Sequence, residues 1–376
     1  MSGADKNRCE TSWPGEGHGG QVWEPDGSRA DVVDFSANLW PDRKAAQLLR
    51  HALSSTQLAD YPDADCRALV RAVAHRHGLT PAHVLPANGS TEALYVAMLA
   101  LRPSSLALFE PTFSEYDRAA QWSASPNAVP VRRSIGEAEH GFVPTLAVPN
   151  AAVAVLANPN NPTGVLLDRP TVAAWVAECE AAGIAVIVDE AFMEFVPGAA
   201  QVTMLSLLDR HRRLIVLRSM TKRHGLAGVR LGFAFGHPDL IAELHGRRIP
   251  WSVNTLAQHV GATLAEAADD AAVLSEVARE RLFLSRGLER LGWRVFPSAA
   301  NFLLCRLPGD NADVLAALRR QGILLRDASN FCGLDAHYVR CAVRRRTDNR
   351  RLLHALLLAA PSGHVRRAST RMGGDR

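Results

Sequence analysis

A chain of 376 residues with 47% hydrophobic side chains is long enough for two packed domains with a sizeable site between them. No run approaches the roughly eighteen apolar residues of a membrane helix, and Asp5, Glu10, Glu16 and Glu24 interrupt any signal or transit pattern, so a cytoplasmic protein is expected. The net charge of +4 rests on scattered arginines, which argues against a nucleic-acid footprint, and the six cysteines show neither Cys-x-x-Cys pairs nor zinc spacing, so they read as reduced thiols with no metal site. Arginine supplies nearly all the basic residues, leaving Lys6, Lys44 and Lys222 as the lysines.

The first sixty residues lack a clear core pattern of their own and read as an N-terminal arm over 1–45 followed by connecting segments. From about residue 63 to 250, helical amphipathic stretches alternate with short apolar runs, the order that builds a mostly parallel sheet covered by helices. The patterns predict helices over 64–77, 91–101, 169–182 and 239–245, and strands over 106–109, 153–157, 184–188, 214–217 and 231–235. A large domain is placed at 46–254. Beyond Asn254 a long helical stretch, about 255–291, precedes short strands near 301–306 and 338–343, which predicts a smaller α+β domain over 255–362. Arg366, Arg367, Arg371 and Arg376 stand among Gly, Ser and Thr, so 363–376 reads as a disordered basic tail.

Four loops each follow an apolar run, the position where open α/β sheets place ligands. Ala87-Asn88-Gly89-Ser90-Thr91-Glu92 runs straight into a helix, whose exposed N–H groups and dipole suit a phosphate; Ser and Thr are equally ordinary N-caps. Asn158-Pro159-Asn160-Asn161-Pro162-Thr163-Gly164 forces a turn in any fold. Val188-Asp189-Glu190 sets acid at the end of a buried strand, where an unpaired carboxylate is costly and a cationic partner is expected. Ser219-Met220-Thr221-Lys222 is followed by Gly225, Gly228, Arg230 and Gly232.

Asn-Pro-Asn-Asn-Pro-Thr-Gly, Asp-Glu-Ala-Phe, Ser-x-Thr-Lys and Gly-x-Arg-x-Gly, in this order and over about residues 18–357, resemble the fold-type I pyridoxal-phosphate enzymes. The resemblance implies an α/β, aspartate-aminotransferase-like fold with a mostly parallel seven-stranded sheet and a smaller α+β C-terminal domain. It implies pyridoxal 5′-phosphate as cofactor, with Lys222 as the catalytic lysine that carries it and moves protons at the substrate carbon. Asp189 would pair with the ring nitrogen, Asn161 with the 3′ oxygen, and Phe113 would stack on the ring. Gly89, Ser90, Thr91, Ser219 and Arg230 would hold the phosphate. Tyr61 matches a tyrosine that reaches the neighbouring subunit's phosphate, which implies a homodimer with shared sites.

Two subgroups compete within this resemblance, threonine-phosphate decarboxylases of cobalamin biosynthesis and histidinol-phosphate aminotransferases. His18-Gly19-Gly20, Asp34-Phe35-Ser36-Ala37-Asn38, Tyr61-Pro62-Asp63, Pro111-Thr112-Phe113-Ser114-Glu115-Tyr116, Pro250-Trp251-Ser252-Val253-Asn254 and Gly333-Leu334-Asp335 look like the decarboxylases. Phe192 stands where the aminotransferases usually carry Tyr. The resemblance makes His18, Asn38, Asn161, Arg326 and Arg340 the candidates for a small phosphorylated amino-acid substrate. Leu39-Trp40-Pro41-Asp42-Arg43 departs from the Asn-Pro-x-Gly loop of the family, and Gly225-Leu226-Ala227-Gly228 is closer to the aminotransferases.

Overall fold

The computed structural model describes residues 18–123, 129–134, 141–267 and 271–359. The tail expected over 363–376 lies outside them. The arm is mostly irregular from residue 18 to 42, apart from a Trp23–Arg29 bridge and a two-residue strand β1 (Val33–Asp34). Asp34 Oδ1 accepts from the Ser36 and Ala37 N–H groups at 2.7 and 3.2 Å, a side-chain turn that redirects the arm.

The central sheet contains β2 (Val84–Ala87), β3 (Ser105–Glu110), β4 (Val129–Ser134), β5 (Val153–Ala157), β6 (Ala185–Asp189), β7 (Leu214–Ser219) and β8 (Gly232–Gly236), in the order β2-β8-β7-β6-β5-β3-β4. β8 is antiparallel to both neighbours, and the remaining strands are mutually parallel. β5, β6 and β7 are buried at every position because helices cover both faces, which is why they appear as continuous apolar runs. The sequence patterns predict neither β2 nor β4. Each carries a proline, Pro86 or Pro130, and each is an edge strand, where a missing N–H is tolerated.

A second sheet, β12-β13-β10-β9, is antiparallel throughout. It is built from β9 (Arg294–Val295), β10 (Phe302–Arg306), β12 (Arg326–Asp327) and β13 (Tyr338–Ala342). The neighbouring β11 (Ile323–Leu324) pairs in parallel with β1, and Phe35 and Trp40 are buried in the same core as β10 and β13. The arm is thereby stitched to the second domain. The stretch predicted as helical over 255–291 forms two helices with different partners. Thr255–Glu266, capped by Asn254, buries Ala257, Val260 and Ala265 in the core of the first domain, and Ala271–Arg290 buries Val277, Leu284 and Leu288 in the second. The composition change at Asn254 thus precedes the change of core by one helix. Among the described residues no helix is long and apolar enough to cross a membrane.

The cation expected beside the strand-end acids is Arg218 on β7. Its Nε lies 2.9 Å from Glu190 Oε2, which also accepts from the Thr203 hydroxyl at 2.7 Å, while Met204 N–H donates to Oε1 at 2.8 Å. Both partners are buried, so removing one leaves an uncompensated charge. Arg218→Met is expected to cost about 3–5 kcal/mol of stability, and adding Glu190→Gln to recover much of it, as read by urea unfolding. Equal stabilities for the single and double variants would show that the two groups do not compensate one another.

Candidate active site

The carboxyl ends of β2, β3, β5, β6 and β7 open onto one cavity of about 670 Å3. Two further segments complete its walls: residues 18–19 and 36–38 of the arm, and Arg326 and Arg340 from the second sheet.

Lys222 lies in the short Met220–Arg223 helix directly after β7 and lines the cavity. Burial, then the charges of Arg340 and Arg230, pull its amine down to about 8, against an opposing pull from Asp189. The segment behind it is the one that departs from the family pattern: Trp40 N–H donates to the Lys222 carbonyl at 3.1 Å. A Cβ on Gly225 would lie 2.3 Å from the Trp40 carbonyl, so that close approach requires glycine. Asp42 caps the following helix through the Lys44 and Ala45 N–H groups and pairs with Arg223.

Asp189 ends β6. Its Oδ2 accepts from the Tyr116 hydroxyl at 2.7 Å and its Oδ1 from Ala191 N–H at 2.9 Å; burial nonetheless raises its pKa. Tyr116 is itself buried and pushed well above the ordinary phenol value, first by burial and then by Asp189. Tyr116 has no role assigned by its sequence motif. The available signal is that a tyrosine on the inner face of a helix needs an acceptor for its hydroxyl.

On one side of Lys222 the Ser90–Leu101 helix begins with no side-chain cap at Gly89, which leaves first-turn N–H groups open. Arg230 packs its guanidinium so closely against Gly89, at φ 90°, that a Cβ there would sit 2.7 Å from Nη2. Gly232 likewise lets β8 approach Ser90, where a Cβ would fall 2.1 Å from the backbone nitrogen. Ser219 Oγ lies 2.9 Å from Thr221 Oγ1 beside this cradle. Open N–H groups, hydroxyls and a guanidinium around one hollow fit a phosphate dianion.

On the other side Arg326 and Arg340 stand directly opposite each other on β12 and β13, a like-charge pairing that is unfavourable by itself. Burial, then Arg326, lowers Arg340 to about 9, and burial lowers Arg326 to about 10. Arg340 donates to Asn161 Oδ1 and, at 2.7 Å, to the Ser36 carbonyl, and its guanidinium lies 5.6 Å from the Phe302 ring centre. Phe302 meets Phe192 edge-on at 5.0 Å. Arg326 donates to Asn330 Oδ1 at 2.7 Å. Among the described residues Arg340 Nε and Asn38 Oδ1 are buried without a protein partner.

Of the residues predicted from sequence, His18, Asn38, Ser90, Thr91, Phe113, Asn161, Asp189, Lys222, Arg230, Arg326 and Arg340 line this cavity. Gly89 and Ser219 sit behind it in the cradle. Tyr61 is not brought to it: the side chain is 83% exposed and lies 5.4 Å from the Trp251 ring. Tyr95, Glu115, Tyr116, Arg118 and Trp122 also line the cavity, although no sequence motif gives any of them a role.

The family model for aminotransferase class I and II matches residues 30–356. The chain belongs to this family. One relative is the threonine-phosphate decarboxylase of Salmonella typhimurium, 33% identical over 357 residues, spanning 90% of this chain and 95% of that protein. Another is the histidinol-phosphate aminotransferase of Nitratidesulfovibrio vulgaris, 32% identical over 334 residues, spanning 87% and 88%. The crystal structure of L-threonine-O-3-phosphate decarboxylase from Porphyromonas gingivalis aligns with a TM-score of 0.75 at 27% identity, over 87% of this chain and 99% of that one. The fold is therefore the aspartate-aminotransferase-like, type I fold, and the family's cofactor is pyridoxal 5′-phosphate. The cavity fits that cofactor: a cradle for its phosphate, a buried amine for its aldehyde and a buried carboxylate for its ring nitrogen.

An amine attacks an aldehyde in its neutral form, so the lowered Lys222 value sets when cofactor is captured. Uptake of pyridoxal phosphate by apoprotein is expected to accelerate with pH and level off above about 8, where Lys222 is deprotonated, in place of the ordinary 10.5. A stopped-flow pH profile that still climbs steeply past pH 10 would contradict this. Arg230→Ala removes a charged donor from the cradle and is expected to weaken pyridoxal phosphate retention about ten- to a hundredfold, measured by equilibrium dialysis.

Proposed function

We propose that this enzyme decarboxylates L-threonine-O-3-phosphate, or a close phosphorylated amino acid, to the aminoalkyl phosphate and carbon dioxide. The observation that carries the reading is the Arg326–Arg340 pair. Two buried guanidinium groups opposed across adjacent strands call for anionic charge, and a phosphorylated amino acid brings both a carboxylate and a phosphate. Likeness to the decarboxylases over nearly the whole chain supports it. So does Phe192, which adds no hydroxyl beside the cofactor ring.

In this reading Arg340 grips the carboxylate and fixes the angle of its bond to Cα, while Arg326, His18 and Asn38 receive the phosphate. Asn161 offers its Oδ1 to Arg340, which leaves its NH2 to donate to the cofactor's 3′ oxygen. Asp189, oriented by Tyr116 and the Ala191 N–H, pairs with the ring nitrogen. When bound, pyridoxal phosphate supplies the electron sink for the pair released at Cα. Lys222, with its amine near pH 8, holds and returns a proton at that carbon. The proposed assembly is a homodimer in which Tyr61 serves the neighbouring subunit's cofactor phosphate.

Aminotransfer on histidinol phosphate or a related amine is the second reading, favoured by the aminotransferase relatives and by the Gly225-Leu226-Ala227-Gly228 loop. Purified holoenzyme incubated with L-threonine-O-3-phosphate is expected to release carbon dioxide and aminopropanol phosphate in equal amounts. Conversion of the cofactor to its amine form, with amino transfer to a keto acid and no gas, would overturn the first reading in favour of the second.

A further inference from the structure

Glu115 is, with Asp189, a carboxylate in the wall of a cavity also lined by Lys222, Arg230, Arg326 and Arg340, and it stands on the first turn of the Glu115–Ser123 helix. Its Oε1 lies 2.9 Å from His18 Nε2, and its Oε2 accepts from the Tyr95 hydroxyl at 2.9 Å. Arg118 stands 3.5 Å from Oε1. Burial pushes the Glu115 carboxyl up, but the hydrogen bonds from His18 and Tyr95 outweigh it and hold the group below the ordinary value. An ionised acceptor at Nε2 requires a proton on that nitrogen, which fixes how the imidazole is protonated on the arm.

The arm is gripped from the other side as well. Gly20 N–H donates to Ser36 Oγ at 2.8 Å, and a Cβ on Gly19 would lie 2.1 Å from the Ser36 carbonyl, the same oxygen that accepts from Arg340. The His18 ring lies 5.8 Å from Phe113 in tilted contact. His18 is thus held at three points: backbone, ring face and ring nitrogen. With Nε2 given to Glu115, Nδ1 is the ring nitrogen left to meet a ligand.

We infer that Glu115, itself supported by Tyr95, is a positioning residue that holds the His18 ring as a contact for the substrate's phosphate and so sets the preference for phosphorylated over unphosphorylated amino acids. The inference rests on the phosphorylated-substrate reading above. A negative group beside an anion site is unfavourable unless it is paired, and Glu115 is paired with His18, Tyr95 and Arg118.

The experiment is a titration of holoenzyme with L-threonine-O-3-phosphate and with L-threonine, following the cofactor's absorbance. It reads the ratio of the two dissociation constants whether or not carbon dioxide is released. Glu115→Gln is expected to reduce the preference for the phosphorylated ligand about ten- to a hundredfold, chiefly through weaker binding of that ligand. His18→Ala should do the same, and the double variant should be no worse than His18→Ala alone. Tyr95→Phe, which removes one hydroxyl without disturbing packing, should shift the ratio the same way by less. A preference unchanged in Glu115→Gln, or losses that add in the double variant, overturns the inference and leaves the proposed function standing. A wild-type enzyme with no preference for the phosphorylated ligand overturns both.

Discussion

An amine buried beside two guanidinium groups is the constraint around which this site is organised. Burial is the largest effect disfavouring the charge of Lys222, and the fields of Arg340 and Arg230 add to it. Asp189 opposes these effects without cancelling them. The same set of charges serves three tasks. Arg230 and the uncapped helix start would make a phosphate cradle, Arg340 and Arg326 would make the proposed anion clamp, and the amine's pKa is pulled down to about 8. Burial lowers the pKa of this lysine first, and the guanidinium groups lining the same cavity lower it further.

The two domains divide this work along chemical lines. Strand ends of the parallel sheet supply what the cofactor needs, namely the cradle, Asp189, Asn161 and Lys222. The antiparallel sheet supplies the guanidinium pair, and the arm, paired to that domain through β1 and β11, supplies Asn38 and His18. Residues that would choose the substrate therefore sit on a body distinct from the one that would hold the cofactor. Ser36 joins the two selecting elements, since it binds both Gly20 and Arg340.

Much of the site is legible in the sequence because the parallel sheet collects its ligands at strand ends, so an apolar run followed by a polar string gives both position and chemistry. Lys222, Asp189 and Asn161 fall in that class. What stays hidden depends on pairings between distant segments. The partner of Asp189, Tyr116, is 73 residues away, and His18 and Glu115 are 97 apart. Nothing local marks either pair. β2 and β4 escape the pattern for a different reason: prolines that would argue against a central strand are harmless at an edge. The 255–291 stretch conceals a break because alanine- and leucine-rich helices look alike whichever core they face.

The segment at residues 39–43 shows why a departure from a family pattern need not be a loss. In this chain Trp40 is fully buried in the second-domain core, under the Arg345 guanidinium at 5.4 Å, and its backbone reaches the Lys222 carbonyl. Asp42 ties the start of the next helix to Arg223, one residue beyond that lysine. A large ring at this point fixes the backbone of the arm against the loop that carries the amine, and Gly225 supplies the space for it. Two neighbours, Asn38 in the cavity wall and Trp40 behind it, therefore connect substrate-facing and lysine-bearing segments through three residues of chain. A smaller residue at position 40 would remove the ring from the second-domain core and leave Asp42, through Arg223 and His224, as the side-chain tie between the arm and the Lys222 loop.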